Sequence, residues 1–109
     1  MTSKKPAASK RTTLPRQSSY TKRFLQDWSA LSHSGRYDMT RLKEAMTLLI
    51  ANDGPLPAQW RDHSLSGTWE GHRECHIGGD FLLVYLLDDS GKCPSLVFSR
   101  CGTHADIFG

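Results

Sequence analysis

Four of the chain's five histidines, His63, His72, His76 and His104, lie in its C-terminal half, interspersed with Glu74, Asp80 and Arg100. Imidazole gives or takes a proton near neutral pH, a carboxylate can accept one, and a guanidinium can hold a phosphate. Cleaving RNA without a metal needs those three groups. A base activates the ribose 2′-hydroxyl, a cation steadies the crowded phosphate, and an acid protonates the departing 5′-oxygen, leaving a 2′,3′-cyclic phosphate. The same histidines with Glu74 could instead ligate zinc, but neither an HExxH motif nor a Cys/His pairing motif accompanies them.

These side chains act together only if strands and turns gather them. Trp69 to Ile77 reads as a strand, Gly78 and Gly79 as a turn, and Phe81 to Leu87 as a nearly unbroken apolar run suited to a strand buried on both faces. Asp88 to Gly91 supplies a second turn and Leu96 to Arg100 a third strand, giving an antiparallel meander. Alternation puts His72, Glu74 and His76 on one face and Arg73 and Cys75 on the other. By the same rule Leu96, Phe98 and Arg100 share a face, and a suitable register would carry Arg100 toward the carboxylate and the imidazoles.

Upstream, Tyr20, Phe24, Trp28 and Leu31 recur at helical spacing after Ser18 or Ser19 as the N-cap. Asp38 or Thr40 caps a second helix carrying Leu42, Ala45, Met46, Leu49 and Ile50, which stops near Ala51 before Gly54, Pro55 and Pro57. The two helices form an αα-hairpin covering one face of the sheet. Thr12 to Leu14 is expected to form a short edge strand that Pro15 ends.

A length of 109 residues fits one domain. Residues 1–11, short on apolar side chains and rich in Lys, Ser and Ala, read as a disordered basic tail, leaving 12–109 as the folded unit. The net charge of +3 hides an asymmetry, because seven of the fourteen Lys and Arg precede residue 25, where there is no acid. The remainder is acidic on balance, so its attraction for free RNA should be weak and binding must be local. No apolar run is long enough to span a membrane and no signal peptide is visible, which points to the cytoplasm. Cys75, Cys93 and Cys101 form neither a CxxC pair nor an even set, so reduced thiols are expected.

The residues resemble the YafQ branch of the RelE/ParE superfamily of bacterial type II toxins from about Tyr20 to Gly109. The resemblance rests on MTLLI at Met46–Ile50, PLPA at Pro55–Ala58, DHSLSGTWEGHRECHI at Asp62–Ile77 and RCGTHADIFG at Arg100–Gly109, collinear and at near-constant spacing. It implies an α+β, RelE-like microbial RNase fold: an N-terminal αα-hairpin packed on a small antiparallel sheet. It further implies a metal-free, cofactor-free endoribonuclease, an mRNA interferase that cuts messenger RNA in the ribosomal A site. A cognate antitoxin would restrain it and link it indirectly to operator DNA.

Carried over by position, the functional histidines match His63, His76 and His104, the phosphate-stabilising arginine matches Arg100, the acids match Glu74 and Asp80, and the C-terminal aromatic matches Phe108. His104 and Glu74 would share the acid and base roles, in an order left open. His63 and His76 would orient or neutralise the phosphate, and Phe81 or Phe108 would stack on a base. The pattern departs in having Glu74 for aspartate, Phe81 for tryptophan, His72 for tyrosine and Cys101 for a small hydroxyl residue. Structural alternatives stand beside these roles, with Arg100 as a salt-bridge partner of Asp80 or Asp106 and Phe108 as a core plug. A non-nucleolytic, ParE-like toxin or interaction module is the rival reading.

Overall fold

The computed structural model describes residues 14–109. A strand, β1 (Gln17–Tyr20), leads into two helices, α1 (Lys22–Ser34) and α2 (Met39–Ala51). Then come β2 (His63–Ser64), β3 (Arg73–Gly78), β4 (Phe81–Asp88), β5 (Ser95–Thr103) and a short α3 (His104–Phe108). One five-stranded sheet runs in the order β1-β5-β4-β3-β2. The expected meander forms its centre, while β1 pairs parallel to β5, so the sheet is mixed rather than wholly antiparallel.

The expected edge strand Thr12–Leu14 lies outside the described residues except for Leu14, which is not in a strand, and the described edge strand follows Pro15. Every residue of β1 has its N–H, and Gln17 starts the pairing by donating to the Pro94 carbonyl at 2.9 Å. Ser18 and Ser19 are therefore strand residues, and Thr21 is the N-cap, its hydroxyl accepting from Phe24 N–H at 2.9 Å and donating to the Ser99 carbonyl at 2.8 Å. α1 ends where Gly35 takes φ +69°, which a glycine adopts without cost. Asp38 caps α2 by accepting from Arg41 N–H, and Asn52 in the left-handed region closes it at Ala51, as expected.

Phe24 and Leu31 of α1 and Leu42, Ala45, Met46 and Leu49 of α2 are buried against Cys75, Ile77, Leu83, Tyr85, Leu96 and Phe98 of the sheet. Each large apolar side chain so covered is worth about 1.5–3 kcal/mol. This core holds one face of the sheet rigid. On the opposite face a smaller cluster of Leu82, Val84 and Ile107, flanked by Leu65 and Trp69, lays α3 across the strands. Trp69 belongs to a 3₁₀ turn (Gly67–Trp69), so β3 starts four residues later than the expected strand.

Candidate active site

β3 projects Cys75 and Ile77 into the helix-side core, which leaves Glu74 and His76 on the opposite face. β2, although two residues long, pairs His63 with Glu74, and Glu74 pairs in turn with Val84 of β4. The outcome is a carboxylate between two imidazoles. Glu74 Oε2 stands 3.2 Å from His63 Nε2 and 3.5 Å from His76 Nε2, with the carboxylate 4% exposed. Its other oxygen, Oε1, is buried without a hydrogen-bond partner among the described residues. His63 is fixed from behind as well, Nδ1 donating to the Arg61 carbonyl at 3.1 Å.

A second pair forms where β5 runs into α3. Asp80, in the β3–β4 turn, accepts from His104 Nδ1 at 2.8 Å and from the His104 backbone N–H at 3.1 Å. Those hydrogen bonds hold the Asp80 carboxyl below the usual carboxylate range, and the neighbouring imidazoles of His104 and His76 contribute in the same direction. His76 thus lies between the two pairs. Thr103 and Asp106 form a capping box that sets where α3, and with it His104, begins.

Phe108 is 40% exposed, so it is not a core plug. Its ring is 5.6 Å from that of His104 and 6.1 Å, edge-on, from Trp69. Trp69 meets His72 edge-on at 5.1 Å, which makes His72 part of the aromatic border rather than of the proton-transfer groups. Sequence reasoning missed Trp69 as a site-lining residue because the residue was assigned to a strand.

Two expected members behave differently. Phe81 is 5% exposed and packs its ring 5.1 Å from Tyr37 in the helix-side core, so it is a packing residue and cannot stack on a base. Arg100 does not share a face with Leu96 and Phe98. A bulge at Ser99 pairs Phe98 with Tyr85 but Arg100 with Val84, turning the arginine to the face of Glu74. His63, Glu74, Val84 and Arg100 therefore form one row across four strands.

The Arg100 guanidinium, however, is tied to α1. Nε meets Asp27 Oδ2 at 2.7 Å, and Nη2 meets Asp27 Oδ1 at 3.2 Å and the Asp106 carbonyl at 3.3 Å. The salt-bridge partner is Asp27, not Asp80 or the Asp106 carboxylate. A signal for it existed in the sequence: Asp27 sits three residues after Phe24 and four before Leu31, on the apolar stripe of α1, where an acid needs a cation.

His63, Glu74 and His76 offer ligand atoms within 4.8 Å of one another, a donor set able to take a transition-metal ion. With two imidazoles on one carboxylate, a third on another and an exposed aromatic border, the face can move protons and hold a ring.

The profile of the family described as "Bacterial toxin of type II toxin-antitoxin system, YafQ" matches residues 16–109. The chain is 47% identical to the mRNA interferase toxin YafQ of Escherichia coli K12 over 79 residues, 72% of this chain and 82% of that protein. It superposes on the toxin in the E. coli DinJ-YafQ complex with a TM-score of 0.74 at 42% identity, covering 86% of this chain and 99% of that one. A copper-bound mutant toxin from Helicobacter pylori matches with a TM-score of 0.73 at 35% identity, covering 85% and 99%. The matched span takes in every residue of the site built above, and the chain belongs to the YafQ family of bacterial type II toxins.

Proposed function

We propose that this protein is an endoribonuclease that cuts messenger RNA in the A site of the ribosome by general acid–base catalysis, and that a cognate antitoxin neutralises it. The observation that carries the reading is Glu74, buried between the imidazoles of His63 and His76, on the face that also holds the His104–Asp80 pair. The names of the E. coli relatives support the activity, and the DinJ-YafQ complex supports the partner.

In the proposed reaction a base takes the 2′-hydroxyl proton, the 2′-oxygen attacks the adjacent phosphorus, and the 5′-oxygen leaves with a proton from the acid. Glu74 and His104 carry these two proton transfers, in an order left open, and His63 and His76 balance charge at the phosphate. Arg100 lies in the same row as Glu74, and stabilising the phosphate would require its guanidinium to turn from Asp27 toward the substrate, while Phe108 and Trp69 offer faces for a base. The ribosome supplies the RNA grip that a folded unit with ten basic and eleven acidic residues lacks, the cytoplasm is the place of action, and the antitoxin connects the toxin to operator DNA.

Primer extension on messenger RNA after controlled expression tests the reading. Wild type should produce cuts in register with codons, and His104→Ala should lose about 10²–10⁴-fold in cleavage, the worth of one positioned acid or base. Uncut messenger RNA during growth arrest would favour the non-nucleolytic toxin instead. Because the copper-bound relative shows that this fold can take a metal, added Cu²⁺ is expected to inhibit by occupying the imidazoles and carboxylate, whereas EDTA should leave cleavage intact.

A further inference from the structure

The segment that delivers His63 to Glu74 is poorly secured by its own backbone, since β2 is a two-residue edge strand and the His63 side chain is about half exposed. What fixes it lies beneath the sheet. Trp60, 1% exposed, is sunk in the helix-side core under the Arg41 guanidinium at 4.2 Å. The chain then passes through Arg61 at φ +52°, a left-handed conformation that costs a non-glycine residue on the order of 1 kcal/mol or more and persists only where the surroundings enforce it. That step aims the Arg61 carbonyl at His63 Nδ1 and sends Asp62 below the sheet while His63 goes above.

Below, Asp62 Oδ2 accepts from Arg73 Nε at 3.1 Å and Nη2 at 2.9 Å, and Asp62 Oδ1 accepts from the Tyr85 hydroxyl. Arg73 and Tyr85 are register partners on β3 and β4, and the next pair along those strands is Glu74 and Val84. The same two strands thus carry the acid's clamp on one face and His63's partner on the other. Burial and the Asp62 hydrogen bond push the Tyr85 phenol far above its ordinary range, so its proton stays available for Asp62.

We infer that Asp62, Arg73 and Tyr85 are positioning residues, a brace under the sheet that fixes the His63 imidazole against Glu74. None of the three reaches the site face, so each acts through the placement of His63 against Glu74. A displacement of one reacting group by about 1 Å can cost about 10²-fold in rate, which sets the scale of the effect.

The test uses Asp62→Asn and the near-isosteric Tyr85→Phe in the full chain, with cleavage measured on ribosomes; this arm rests on the endoribonuclease reading. Each variant should lower kcat by roughly 10–100-fold with KM little changed. In a His63→Ala background the same substitutions should add nothing. Losses that multiply in that background, or a kcat equal to wild type in both variants, would overturn the brace. A second arm needs no activity: the ¹⁵N shifts of the His63 ring at fixed neutral pH report the hydrogen bonding of each nitrogen. Changed shifts in Tyr85→Phe support the brace, and shifts identical to wild type in both variants refute it. If wild type fails to cut RNA, the activity reading falls while the NMR arm still decides the brace.

Discussion

Asp80 and Glu74 show how two carboxylates near the same histidine are given different environments. Glu74 is buried with one oxygen unpartnered among the described residues, whereas Asp80 is exposed and takes two hydrogen bonds from one residue. Because folding lowers the Asp80 carboxyl, its contact with His104 favours the native state above the ordinary carboxylate range and is lost only as pH falls through the lower folded value. The pair should therefore persist across the whole neutral and mildly acidic range. A ¹³C titration of the Asp80 carboxyl checks this: its midpoint should lie below the ordinary value in wild type and move back up in His104→Ala. A wild-type midpoint at or above the ordinary value would contradict the contact.

Among the elements, β5 decides most about the site. Its bulge at Ser99 returns Arg100 to the face of Glu74, and α1 then claims the guanidinium through Asp27, which also accepts from the Cys101 N–H at 3.1 Å. Asp27→Ala would leave a mostly buried arginine unpaired and a backbone donor unsatisfied, and breaking such a pair from one side typically costs about 3–5 kcal/mol. Chemical denaturation should show a loss of that size, and a change below about 1 kcal/mol, the scale of an exposed ion pair, would mean the contact is solvent-screened. The two helices were legible because thirteen residues apiece repeat an apolar stripe and end at Gly35 and Asn52. β1 was not, because four residues with every side chain exposed carry no periodic pattern, and only the distant β5 defines them as a strand.

The described part of the molecule is a sheet with a thick apolar core on the helix side and a thin one under α3. Cys75 and Cys101 belong to the thick core and Cys93 to an exposed turn. Burial pushes the Cys101 thiol up to about 12 and Cys75 further still, so both remain protonated and shielded. A thiol reagent under native conditions should modify one cysteine per chain, Cys93, and all three in denaturant, as read by intact mass. Rapid native modification of Cys75 or Cys101 would show that the helix side opens.

By itself the chain's order of residues determined the two helices, the three central strands and the face shared by Glu74 and His76, since each follows from spacing over a few neighbours, while the proton-transfer candidates came from the resemblance to the YafQ family. Tertiary structure alone decided that His63 stands on Glu74, that Phe81 faces the helices, that Arg100 crosses to the Glu74 face and binds Asp27, and that Trp69 joins Phe108. Those outcomes depend on strand register, on one inserted residue at a bulge and on partners up to 73 positions apart. No local pattern encodes them, because a shift of a single residue in pairing reverses which face a side chain occupies.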